Sequence, residues 1–139
     1  MDRSRGFTLL ELIIVTGIVA VLAALATASY GRYALRAHRA DAHRMLMTIA
    51  HAEERWYATY NRYTDDLSKF GYDNPGISPH AYYEVALAVS GTTAQAYVVT
   101  AMPINSQAAD VCGSLSIDNK GNKTPERNDE VANANGRCW

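Results

Sequence analysis

Between Arg5 and Arg32 the chain carries one charge, Glu11, inside the run Gly-Phe-Thr-Leu-Leu-Glu-Leu-Ile-Ile-Val-Thr-Gly-Ile-Val-Ala-Val-Leu-Ala-Ala-Leu-Ala-Thr-Ala-Ser-Tyr-Gly, residues 6–31. An apolar run of about 20 residues is long enough to cross a hydrocarbon layer of about 30 Å as a helix. It exceeds the h-region of about 7–15 residues found in cleaved secretory signals, and no small-residue cleavage site follows it. The small residue, Gly6, comes before the run. The segment therefore reads as an anchor that stays on the chain, and the remainder must fold beside it.

Glu11 is out of place in such a segment. A carboxylate in an apolar span costs about 2.5–3.5 kcal/mol on insertion scales, so it usually marks function. The span offers no Lys or Arg as a partner. If the chain is cut between Gly6 and Phe7, the new amine lies at i, i+4 from Glu11 on one helix face. Titrating near about 7.7–8.0, that amine is largely cationic at neutral pH. The plainer alternative is an anchor helix that tolerates Glu11 near the membrane interface.

A short basic leader, Gly6, then Phe7-Thr8-Leu9-Leu10-Glu11 closely resembles the prepilin signal of type IV pilins. The resemblance implies that a prepilin peptidase removes residues 1–6 and that Phe7 is N-methylated. It also implies that Glu11 meets the Phe7 amine of a neighbouring subunit during filament assembly. Ala20 and Ala28 stand where pilins commonly carry glycine and proline.

At 139 residues the chain leaves roughly 105 beyond the anchor, enough for one small domain. A net charge of −1 hides an asymmetry: residues 32–62 hold six arginines against three acids, residues 63–139 five cations against nine acids. No global nucleic-acid signature results. Arg3 and Arg5 precede the span and Arg32, Arg36, Arg39 and Arg44 follow it, so a simple positive-inside count places the C-terminal part in the cytoplasm. The two cysteines, Cys112 and Cys138, overrule that count. They lack metal-site spacing and can be read as one disulfide, which needs an oxidising compartment; two buried thiols are the alternative.

No proline occurs from Phe7 to Tyr60. A helix of that length would reach roughly 80 Å. Its second half has an apolar stripe, Leu35, Ala42, Met45, Ile49, Ala52, Trp56 and Tyr60, with Arg39, Arg44, Glu54 and Arg55 placed off it. Gly17 and residues 27–31 are weak helix formers, so a bend or local melting is expected there. Residues 61–80 read as a long connecting loop pinned by Tyr63, Leu67, Phe70 and Tyr72. Alternation over residues 82–89, then Ser90-Gly91-Thr92 and a second run over 94–102, is a hairpin signal. A third strand is expected at 114–117, with a turn at Asp118-Asn119-Lys120-Gly121. Residues 119–137 have almost nothing apolar and could not hold a shape by burial alone. A bridge from Cys112 to Cys138 would staple them, worth very roughly 3 kcal/mol.

The expected fold class is α+β: a long N-terminal helix, half anchor and half amphipathic, packed on a small antiparallel sheet with a disulfide-closed C-terminal segment. This order resembles type IVa pilins over the full length. The segment Thr100-Ala101-Met102-Pro103-Ile104-Asn105-Ser106-Gln107, then Asp110, Cys112-Gly113 and Cys138-Trp139, resembles PilE-type minor pilins. The expected organisation is a leader at 1–6, a membrane and filament-core helix at 7–31, and a periplasmic head at 32–139. That head comprises an amphipathic helix at 32–60, a loop at 61–80, a sheet at 81–118 and a D-region at 112–138.

Catalytic chemistry finds no support: the sequence holds no phosphate-binding glycine loop and no triad spacing. No cofactor and no metal are expected. His38, His43, His51 and His80 read as solvated rather than as ligands, and Lys120 and Lys123 argue against a calcium loop at 118–122. The basic band Arg32, Arg36, Arg39, His43 and Arg44 is a candidate contact for DNA or, preferred, for the acidic surface of an adjacent subunit. The reading is therefore a structural minor pilin of a type IV pilus, acting in assembly and hence in twitching motility and adhesion. Its partners would be other pilins, the prepilin peptidase and the inner membrane before assembly, with an extracellular pilus as destination. The rivals are a type II secretion pseudopilin, a DNA-uptake receptor pilin, and an uncleaved membrane-anchored binding module.

Overall fold

The computed structural model describes residues 7–139; residues 1–6, including the expected leader and Gly6, lie outside the described residues. Helix α1 spans Leu9–Tyr60. At its start the Thr8 hydroxyl accepts a hydrogen bond from the Glu11 backbone N–H at 3.2 Å, a side-chain cap for an otherwise orphaned donor. The backbone is helical through 27–31, where the sequence points to a bend or melting. Weak local propensity did not outweigh the uninterrupted hydrogen-bond ladder.

The chain divides into two compact units, one ending at Ala34 and the other running from Leu35 to Trp139. In the first, the large apolar side chains from Phe7 to Leu25 are all half or more exposed. Its most apolar 18-residue window has a mean hydropathy of 2.7 and none of it is buried. A helix apolar all round must be covered by lipid or by other protein.

In the second unit, residues 35–60 of α1 pack against a five-stranded antiparallel sheet in the order β1 (Gly76–Ile77), β2 (Tyr83–Ser90), β3 (Ala96–Pro103), β4 (Leu115–Asp118), β5 (Lys123–Thr124). Alternation sends Tyr83, Val85 and Leu87 of β2, Tyr97, Val99 and Ala101 of β3, and Leu115 and Ile117 of β4 into the core. They meet Ala42, Met45, Leu46, Ile49 and Ala50 of the helix. Val85 stands opposite Ala101 and Leu87 opposite Val99, so the inward sets coincide across the hairpin. The hairpin and third strand therefore lie within two residues of their expected places.

Three features of the helix differ from the sequence reading. Arg39, placed off the apolar stripe, is 2% exposed. It sits three and seven residues before Ala42 and Leu46, on the buried face itself. Tyr60, placed on the stripe, is 53% exposed, and Trp56 is only half-buried, because the helix runs on past the main core. Glu53, unremarked in sequence, is completely buried.

The connection from Asn61 onward is held as expected by Tyr63 and Leu67, with Phe70 and Tyr72 against the core. It contains a 3-10 turn, Leu67–Phe70, capped by Asp66, whose carboxylate accepts from the Ser68 N–H at 3.0 Å. It also contributes β1. A Cβ built on Gly76 would stand 2.7 Å from Met45 Cε, so glycine lets this edge strand close on the helix. Strands β1 and β5 are two residues each, too short for a period of two to register.

Candidate functional site

Cys112 and Cys138 form a disulfide with a Cα–Cα separation of 5.7 Å. The segment it closes is also held by cations of α1. Arg39 makes a bidentate ion pair with Asp110, Nη2 to Oδ1 at 2.6 Å and Nε to Oδ2 at 2.7 Å. Its Nη1 donates to the carbonyls of Gly136 and Arg137, both at 3.0 Å. His43 Nε2 lies 2.7 Å from the Cys138 carbonyl, which requires the proton on that nitrogen. Its ring stacks on Trp139 at 4.6 Å. Burial depresses the His43 pKa, and the charges of Lys123 and Arg39 add to this against the Cys138 hydrogen bond. The Lys123 ammonium also lies over the Trp139 ring, 5.0 Å from its centroid.

Gln107 is fully buried and ties this group to the sheet. Its amide nitrogen lies 3.0 Å from the Leu35 carbonyl, 2.9 Å from the Tyr83 hydroxyl and 3.0 Å from Asp110. His38 donates to the Gln107 amide oxygen at 3.1 Å and stacks on Tyr82 at 3.7 Å. His80 pairs with Asp41 at 2.8 Å. Burial raises the Asp41 pKa, but hydrogen bonds from Ser78 and His80 outweigh it, and the carboxyl titrates below its ordinary value.

The expectation of solvated histidines is thus corrected for His38 and His43, which are partly buried and join the helix to distant segments. His51 and His80 are exposed, although His80 also pairs with Asp41. Arg39 is likewise withdrawn as an external contact: a buried, doubly hydrogen-bonded guanidinium cannot reach another molecule. Nothing in local sequence flags Asp110 or Gln107 as its partners.

The exposed cations of the second unit regroup accordingly. Arg36 is exposed, and its Cδ would lie 3.0 Å from a Cβ at position 136, which glycine accommodates. Arg44, His51 and Arg55 recur at intervals of seven and four, so they share one exposed face of α1, and exposed Arg62 follows the helix end. Asp41 and Glu53 are buried, while exposed Glu54, three residues after His51, borders this face and accepts from the Tyr63 hydroxyl at 3.2 Å. Cations outnumber acids on it. In the first unit Phe7, Glu11 and Arg32 are exposed. Among the described residues no group of three or more His, Cys, Asp or Glu is placed to hold a metal ion.

An apolar N-terminal helix, a head in which that helix's later turns pack on an antiparallel meander, and a disulfide-closed C-terminal segment together define the class of type IV pilins. Comparison with known proteins agrees. The model of the prokaryotic N-terminal methylation motif matches residues 1–27. The model described as "Type IV minor pilin ComP, DNA uptake sequence receptor" matches residues 28–116, more than half of the chain. The chain belongs to this family, which is one of structural pilins.

The type IV major pilin protein PilA of Myxococcus xanthus is 33% identical over 70 residues, half of this chain and 32% of that protein. The prepilin peptidase-dependent protein D of Escherichia coli is 46% identical over 49 residues, 35% of this chain and 32% of that protein. The matched regions thus span about a third of these relatives' lengths. A solved type IV pilin from Shewanella oneidensis superposes with a TM-score of 0.56 at 28% identity, over 76% of this chain and 97% of that one.

Proposed function

We propose that this chain is a minor pilin subunit whose exposed apolar helix packs with others in a filament core while the sheet domain faces outward. The carrying observation is the helix itself: its apolar residues from Phe7 to Leu25 have no cover among the described residues, and Glu11 stands one turn after Phe7. Cleavage after Gly6 creates a cationic amine at Phe7. Burying Glu11 without a partner is costly, so pairing with the amine of a neighbouring subunit fixes register. Before assembly the helix holds the subunit in the inner membrane with the head in the periplasm, where the Cys112–Cys138 disulfide can form. The role is structural, in pilus assembly and through it in motility and adhesion, and the chain catalyses nothing. The disulfide stands against the type II pseudopilin alternative, for which free thiols are the expectation.

Intact mass and N-terminal sequencing of protein from sheared filaments test this. Methylated Phe7 at the terminus with one disulfide is expected; a chain starting at Met1, or absent from filaments, overturns the reading.

A second reading, a DNA-uptake receptor, is favoured by the family's description and by the exposed cations Arg44, Arg55 and Arg62, which with His51 follow one side of the helix to its end. Such a face suits backbone phosphates, whose neutralisation releases counterions and makes binding steeply salt-dependent. Duplex DNA binding that weakens with salt, and whose salt slope falls by about one for each arginine replaced by glutamine, supports the receptor; salt-independent or absent binding removes it.

A further inference from the structure

The end of α1 and the 3-10 turn after it border a shallow, open depression of about 290 Å³. Arg55 and Lys69 flank it, and no acid lines it. Lys69 approaches Asp66 at 3.5 Å, but both are half-exposed, so that pair holds the ammonium only weakly. Between the cations lies an aromatic group. Trp56 meets Tyr60 at 4.1 Å and takes Phe70 edge-on at 6.1 Å. Tyr60, 53% exposed, is backed by Trp56 and leaves more than half of its surface to solvent. The indole N–H of Trp56 is buried with no acceptor among the described residues. A buried donor without a partner is rare, but this one is closed to solvent and is not itself a contact for a ligand.

From these features we infer that the depression is a nucleotide subsite: a planar base stacks on Tyr60 over Trp56 while Arg55 and Lys69 hold its phosphate. Aromatic rings with flanking cations are what base stacking on a charged backbone requires, and stacking tolerates any base because each has a π-face. An acidic peptide would satisfy the cations but leave the ring face unused, and a cationic ligand would find no acid. The inference deepens the DNA-receptor reading and rests on it for the class of partner. It assigns a contact to the base, which the basic face, suited to phosphates alone, does not.

The experiment uses the full chain in detergent micelles carrying Trp139→Phe, which leaves Trp56 as the sole tryptophan of two. Thymidine monophosphate is titrated against Trp56 emission, with inorganic phosphate and deoxyribose 5-phosphate as probes lacking a base. Saturable quenching by the nucleotide alone is expected. Arg55→Gln and Lys69→Gln should each raise the half-saturating concentration at least about threefold, as befits loss of a charge-assisted contact. Tyr60→Phe should bind as before and Tyr60→Ala should not. Equal quenching by the anions without a base, or none by the nucleotide, overturns the proposal. Should Trp139→Phe misfold, saturation-transfer NMR from the unmodified chain to the thymine protons detects the same contact, and no transfer overturns it. Duplex binding by Arg44→Gln in the same micelles reports on the receptor reading separately. Nucleotide quenching without duplex binding keeps the subsite and sinks the receptor, and the reverse result does the opposite.

Discussion

Arg39 and Asp110, 71 residues apart in the chain, form a buried bidentate pair whose side chains are 3% and 0% exposed. With the Gly136 and Arg137 carbonyls on the same guanidinium, one side chain of α1 fixes both the loop before Cys112 and the chain before Cys138. Removing either partner leaves an uncompensated charge in the core.

Arg39→Met is therefore expected to cost about 3–5 kcal/mol, read from urea unfolding of the head. Combining it with Asp110→Leu should recover most of the loss, since two apolar groups leave no buried charge behind. A double variant as unstable as the single one would show that the pair is not coupled.

Glu53 predicts a pH dependence. Burial pushes its carboxyl up to about 7, with Glu54 and Asp65 adding to this against the Thr64 N–H hydrogen bond at 3.2 Å, and its Oε1 has no partner among the described residues. The folded chain holds this proton more tightly than the unfolded one, whose carboxyl titrates near 4.5. Its contribution is thus fully present below pH 4.5 and lost as the pH rises through about 7. Glu53→Gln should remove that loss and stabilise the head at alkaline pH by up to roughly 3 kcal/mol, with little gain in acid. Unfolding curves on either side of neutrality check it; a gain independent of pH would contradict the assignment.

Replacing Cys112 and Cys138 together by serine opens a loop of sequence separation 26. A loss of about 3 kcal/mol is expected, with proteolysis starting between residues 119 and 137. Because Arg39 and His43 also hold this segment, it should loosen rather than detach. Limited proteolysis with and without reductant measures the difference.

Glu11→Gln leaves the apolar helix intact but removes the charge that a Phe7 amine can meet. Insertion into the membrane fraction should be unchanged while recovery in sheared filaments falls several-fold. Normal incorporation would remove Glu11 from assembly.

Much of this molecule could be read from its residues in order. The strand pattern at 83–89 and 97–101 is a local period of two, and the hairpin followed from it. The stripe through Ala42, Met45 and Ile49 is a local period of 3.6. Neither period says what happens where a charged residue falls on the buried face. Arg39 looks like one more surface cation until Asp110 is brought to it, and His38 and His43 look solvated until Gln107 and Cys138 are in place. The basic face of Arg44, His51 and Arg55 became distinct only once Arg39 and His43 had been drawn inward.

The sequence by itself determined the apolar N-terminal helix, the sheet and the two cysteines available for one bridge, because apolar periodicity and length are local properties that burial enforces whatever the partner. Only the tertiary structure decided which cations face outward and which lock the C-terminal segment. That choice depends on desolvating a charge against a partner dozens of residues away, and no local pattern encodes the pairing.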